Sequence, residues 1–305
     1  MREFERQCYG MTEEAIPPAF AGLGGLWFRS GSAVLHLAVL ENAVGQKKAH
    51  PAFCVRDLAE AATLVDDQRR TQSDNFARTA TLMLRTEFTG EPAIGTLKAV
   101  CQGSGFSPRT ALPESFASGH LTAGGREVMR MSGTWVAPPA PPGRVMSGLP
   151  WEGGENGHMR PLLKKNELEA LEKETVRRFE KALRDAPNGD VLAPLCNPVV
   201  KRTAKGAAGK LAVGLHIGNR VGHVQGGFLM HAALVTAEAA VPQHPLLTGA
   251  SAWYISPGEG KAISARATLL QSGRNVAVVR TELFNADRRR VLEVISNHAV
   301  AARQG

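Results

Sequence analysis

Aromatic side chains are scarce in this chain, at 6% of 305 residues, with four tryptophans and two tyrosines. A groove that stacks bases between aromatics and clustered Lys/Arg therefore has little to draw on. The 36 basic residues outnumber the 28 acidic ones and leave a net charge of +8, but they are spread along the chain. That balance is compatible with an anionic small molecule and gives no nucleic-acid footprint. Cysteine is sparse too: Cys8, Cys54, Cys101 and Cys196 lie far apart. Such spacing fits no metal site, so no metal is expected, and scattered thiols suit a reducing cytoplasm as small core fillers. No apolar run is long enough to cross a membrane, and Met1-Arg2-Glu3-Phe4-Glu5-Arg6 does not read as a signal peptide. The expected location is cytoplasmic.

What is present is core-forming material, 43% hydrophobic, over a length that suits two ordinary domains. The most informative stretch runs from Gly218 to Ala240. Asn219, Gly222, Gly226 and Gly227 allow unusual backbone angles and close approach of a ligand. From Phe228 to Ala240 there is neither Gly nor Pro, and apolar or small residues fall on nearly every side. A helix apolar all round is a buried helix. Its first free N–H groups should follow Gln225, where a helix end can receive an oxyanion or a polarised carbonyl.

Four strand-like segments come next, Thr248–Ser256, Lys261–Gln271, Asn275–Asn285 and Arg290–Ala299. The turn signals Pro257-Gly258, Ser272-Gly273-Arg274 and Asn285-Ala286-Asp287 separate them. The N-terminal half has the same order. After a short amphipathic helix expected from Met1 to about Ile16 and a loop at Gly22–Gly25, Ser32–Leu40 reads as a buried strand. Pro51 then opens a helix over Ala52–Val65. Strands are expected at Thr79–Phe88, Ile94–Gly103, Phe116–Thr122 and Glu127–Val136, with an inserted loop from Gly103 to Pro113. Between the halves, the Pro- and Gly-rich run from Pro138 to about Arg160 reads as a semi-rigid linker. A charged helix over Asn166–Asp185 and a hairpin within Val199–Ile217 follow it. The domains expected are residues 1–137, a linker at 138–165, and residues 166–305.

The spacing Asn219-x-x-Gly222-x-x-Gln225-Gly226-Gly227 resembles the Asn-x-x-Gly-x-x-His-Gly-Gly loop of PaaI-like acyl-CoA thioesterases, with Gln225 where that family usually has His. The resemblance implies an α+β chain of two hot-dog domains. In each, an antiparallel sheet wraps one central helix, and the two pair as a pseudo-dimer. It also implies hydrolysis of an acyl-CoA thioester at the seam between them. In that family one unit gives the loop and helix N-terminus, while the other gives a carboxylate nine positions after its own loop His.

Asn42 and Asn219 are 177 positions apart (219 − 42), as are Gly45 and Gly222 (222 − 45), which points to a duplication. In that register Ser32–Leu40 falls on Gly209–Ile217, and Lys48 stands opposite Gln225 (225 − 177). Nine beyond Lys48 is Asp57; nine beyond Gln225 is Leu234, which is neither acid nor base. The resemblance thus implies one working composite site: Asp57 as base or nucleophile, with Asn219, Gln225 and Gly226 around the thioester oxygen. Gly222 and Gly227 would line the substrate path. The mirror site, Asn42, Lys48 and Ala49 facing Leu234, should be dead.

No cofactor is expected beyond CoA as part of the substrate, and no nucleic acid or membrane partner. A homo-oligomer of the double unit is compatible with the sequence. His223 and His231 read as structural, having no second ligand at metal spacing. Two other functions stay open at this point. One is a non-catalytic acyl-CoA-binding or sensing protein, which the replaced loop His allows. The other is a hot-dog dehydratase or hydratase, for which Ala49-His50-Pro51 is the only trace.

Overall fold

A strand turns alternate side chains to opposite faces, so one inward apolar set per strand can seal a sheet onto a helix. The strand Arg290–Ala299 does this with Leu292, Val294, Ser296 and His298, all at most 1% exposed. Val276–Phe284 does it with Ala277, Val279, Thr281 and Leu283, none of them exposed at all. The computed structural model describes residues 12–14, 26–30, 33–37, 79–93, 97–107, 111–138, 165–185, 192–219 and 222–301.

In chain order the described elements begin with β1 (Thr12–Glu14), β2 (Leu26–Ser30), β3 (Ala33–Leu37) and β4 (Ala80–Phe88). Then come β5 (Leu97–Ser107), β6 (Glu114–Ala123), β7 (Arg126–Val136), α1 (Ala170–Asp185) and α2 (Leu192–Cys196). They continue with β8 (Val199–Thr203), β9 (Gly206–Ala212), a 3₁₀ turn (Leu215–Ile217) and α3 (Gly226–Ala240). The last four are β10 (Leu246–Tyr254), β11 (Ala262–Ser272), β12 (Val276–Phe284) and β13 (Arg290–Ala299).

Ten strands form one sheet in the order β5-β6-β7-β4-β10-β13-β12-β11-β9-β8, and every pairing in it is antiparallel. The order reads outward identically from the middle: β4-β7-β6-β5 one way, β10-β13-β12-β11 the other. The central pair is β4 with β10, where Leu84 opposes Ala252 and Thr86 opposes Ala250. A separate three-stranded sheet has the order β1-β2-β3.

Helix α3 lies across β8, β9, β11, β12 and β13. Its apolar circumference is buried as expected: Leu229, Met230 and Leu234 share a core with Leu211, Ile263 and Leu283. Ala237 and Ala240 pack with Ala277 and Val279. Burial of each large side chain among these, such as Leu229, Met230 and Leu234, contributes about 1.5–3 kcal/mol. The helix comes so near β9 that a Cβ on Gly209 would stand 2.5 Å from Thr236 Oγ1.

Several boundaries differ from the sequence reading. Thr12–Glu14 is strand, inside the span expected as an N-terminal helix, because its pairing with β2 outweighs local propensity. Strand β2 was not expected at all. Strand β5 runs on to Ser107 through an irregularity between Gly103 and Phe106, so the loop before β6 is shorter than expected. Residues 215–217 form a 3₁₀ turn and not the end of a strand.

The hairpins β2–β3 and β8–β9 start 173 residues apart (199 − 26 and 206 − 33), with β2–β3 in the three-stranded sheet and β8–β9 in the ten-stranded one. Strand β3 spans Ala33–Leu37, shorter than the expected Ser32–Leu40. Asn42, Lys48, Ala49, Asp57 and the expected helix Ala52–Val65 lie outside the described residues.

Candidate active site

The loop from Gly218 to Gln225 is shaped by its own backbone. Asn219 N–H donates to His223 O at 2.7 Å, and Gly222 N–H to Asn219 O at 3.0 Å. Gly222 takes φ +81°, a left-handed angle that explains a glycine there. Asn219 is exposed, and its Oδ1 accepts from His223 N–H at 3.0 Å. Its side chain closes the loop.

Two further bonds fasten the loop to its surroundings. Val224 N–H donates to Gly258 O at 2.7 Å, and Gln225 N–H to Ile217 O at 2.9 Å. Gly258 leaves room for this contact, since a Cβ there would lie 3.2 Å from Val224 Cβ and 3.1 Å from Leu229 Cδ2. The Pro257-Gly258 turn, read in the sequence only as a strand boundary, braces the loop.

Gln225 is the N-cap of α3, in an extended conformation with φ −65° and ψ 136°. Its backbone carbonyl accepts from Phe228 and Leu229, and its side-chain Oε1 accepts from Gly227 N–H at 2.8 Å. Three of the first helical donors are thus satisfied. Gly226 N–H has no acceptor among the described residues. No acidic residue sits in the first turn to oppose the positive end of the helix dipole. This end of α3 can therefore donate to a carbonyl or oxyanion, as its sequence implied. Gly227 is buried, while Gln225 and Gly226 are half-buried.

Tyr254 was missed in the sequence. It sits on the inward face of β10 with Ala250 and Ala252, and its hydroxyl donates to Gly226 O at 3.2 Å. Inward alternation along β10, ending two residues before Ser256-Pro257, was the signal that could have found it. His231 lies on the buried body of α3, and its Nε2 is 2.6 Å from Asn197 Oδ1. That contact ties the helix to the chain after α2, as a structural histidine would. Leu234 is 2% exposed in the core. Among the described residues no cluster of His, Cys, Asp or Glu could hold a metal. No helix among them is long and apolar enough to cross a membrane.

A groove of about 470 Å³ opens over Gly249 between Arg85, Glu87, Ser251 and Asn297. Arg85 opposes Ser251, one residue off the inward Leu84–Ala252 pair, so this groove faces away from α3. It is separate from the helix end.

Residues 217–301 match the family model of the acyl-CoA thioesterase N-terminal domain. The chain resembles the provisionally assigned oleoyl thioesterase of Lactobacillus plantarum, at 13% identity and TM-score 0.51, over 85% of this chain and 91% of that one. That likeness shows the hot-dog fold over most of the chain. The tesB protein of Mycobacterium avium subs paratuberculosis matches at 12% identity and TM-score 0.47, over 90% of this chain and 96% of its own. A Bacillus halodurans protein solved with CoA matches at 17% identity and TM-score 0.37, over 45% of this chain and 97% of its own. No curated protein matches the sequence at a significant level.

Proposed function

We propose that the chain hydrolyses acyl-CoA thioesters to a free acid and CoA at a composite site between two paired hot-dog halves. The observation that carries this reading is the donor-bearing start of α3. Gly226 N–H lacks an acceptor among the described residues, beside a Gln225 side chain fixed as helix cap, within the segment that matches a thioesterase domain. The mirrored strand order about the β4–β10 pair supports the reading of the two halves as a dimer-like unit within one chain.

In the reaction the thioester oxygen sits at the helix end and gains negative charge as water adds to the carbonyl carbon. Gly226 N–H and the Gln225 amide stabilise that charge. A donor of this kind is typically worth about 10²–10³ in rate. Asp57, assigned by sequence spacing, takes the proton of the attacking water. The C–S bond then breaks, and the CoA thiolate leaves and is protonated. No cofactor takes part. Asn219 and Gly222 hold the loop, and Gly227 keeps the cap in place.

Thiol release from a panel of acyl-CoAs of different chain length tests the proposal. Turnover of at least one thioester is the expected result. Saturable binding without thiol release would instead assign the chain as an acyl-CoA sensor. Loss of enoyl absorbance without thiol release would assign it as a hydratase.

A further inference from the structure

We infer that Tyr254 is a positioning residue for the Gln225 amide, acting through the single peptide unit that joins Gly226 to Gly227. The inference deepens the thioesterase reading and rests on it for its kinetic consequences only. The Tyr254 hydroxyl donates to the carbonyl of this unit at 3.2 Å. The N–H of the same unit, on Gly227, donates to Gln225 Oε1 at 2.8 Å. One peptide plane is therefore gripped at both ends, by Tyr254 on β10 and by Gln225 ahead of α3.

Two consequences follow from elementary hydrogen-bond chemistry. Donation to an amide carbonyl draws electron density from its nitrogen, so the Gly227 N–H becomes a stronger donor toward Gln225. Glutamine is also flexible, with many rotamers to lose. A stronger bond at Oε1 holds the side chain in one of them, and commits its oxygen to the helix. The opposite edge of the amide then faces away from the helix backbone as a fixed N–H donor.

The placement of Tyr254 suits this task. Ala250 and Ala252 precede it on the same inward face, opposite Thr86 and Leu84 of β4. The hydroxyl thus approaches the helix from the central strand pair, where the proposed site lies. The ring packs half-buried against the main core, so its position is set by apolar contacts that a Phe would keep. The other tyrosine in the sequence is Tyr9.

Kinetics and spectroscopy together test the relay. Tyr254→Phe should lower kcat about three- to tenfold with KM within about twofold, the worth of one neutral hydrogen bond. In a Gln225→Ala background the same substitution should change kcat by less than about 1.5-fold, because the relay has no end to act on. Equal losses in both backgrounds, or no loss in either, would overturn the inference. Independently of turnover, the Gly227 amide proton should move upfield in ²H,¹⁵N-labelled Tyr254→Phe protein whose near-ultraviolet dichroism is native. An unmoved Gly227 resonance in a native spectrum would also overturn it. If no acyl-CoA is hydrolysed by the unsubstituted protein, the proposed function falls, and the Gly227 resonance alone decides the relay.

Discussion

Arg178 Nη1 of α1 lies 2.8 Å from Nε2 of His216, in the 3₁₀ turn that leads into the site loop. A guanidinium can only donate, so the buried imidazole accepts and is neutral while the contact lasts. The next residue, Ile217, supplies the carbonyl that holds Gln225 N–H at 2.9 Å. Helix α1 is thereby linked, through two adjacent residues, to the helix cap.

This contact has a signed consequence for pH. Burial first, and the Arg178 charge second, hold the His216 pKa below its ordinary 6.5. Below pH 6.5 the unfolded chain takes a proton that the folded one refuses, so stability falls from there down to the folded pKa and then levels off. Above 6.5 this contribution is fully present. Urea titrations between about pH 5 and 8, across the imidazole range, should show the fall in the native protein. In His216→Gln the slope should be shallower.

Gln225 gives a second prediction. Gln225→Ala removes an N-cap and should cost about 0.5–2 kcal/mol of stability by thermal or urea unfolding. Its turnover should fall less than that of Asp57→Asn, since Gly226 N–H remains. Gln225→His would put an imidazole with an ordinary pKa of about 6.5 beside the thioester. A new limb near that pH in kcat/KM, missing from the native profile, is the expected result.

Asp57→Asn should lower turnover by at least about two orders of magnitude without loss of fold. Asp57 rests on the 177-residue spacing between Asn42 and Asn219, which leaves another carboxylate of the same segment to be tested beside it. The control is therefore Glu60→Gln, on the same expected helix, which should keep nearly all activity. A reversal of the two results would move the catalytic carboxylate from Asp57 to Glu60.

Leu234 should behave in the opposite way to Asp57. It is 2% exposed on α3, and Leu234→Ala should cost about 2–5 kcal/mol of stability while leaving the chemical step nearly unchanged. Titration with a non-hydrolysable acyl-CoA analogue should give one productive site per chain, weakened by Gln225→Ala and indifferent to Lys48→Ala. Two equal sites would contradict the asymmetry.

Gly209→Ala should destabilise by about 1–3 kcal/mol, because the new methyl group would stand 2.5 Å from Thr236 Oγ1. Adding Thr236→Ala removes the obstructing atoms. The double variant should recover part of the loss in a thermal melt, a coupling expected only of residues in contact.

How much of this was legible in the chain depends on range. Helix α3 could be read because thirteen residues without Gly or Pro, apolar on all sides, have one stable solution, and Phe228–Ala240 lies within its observed span. Strand β13 was read to the residue, since alternation and a flanking turn are local signals. The cap at Gln225 was legible for the same reason. What the tertiary structure decided is everything that depends on partners far away in sequence. A short polar segment such as Thr12–Glu14 becomes strand only because β2 pairs with it. Likewise, no local pattern sets β4 beside β10, aims Tyr254 at Gly226, or hands Gln225 N–H to Ile217. Local sequence fixes backbone preference and which face is apolar; the order of strands, and hence which side chain meets the helix end, is settled by packing many such faces at once.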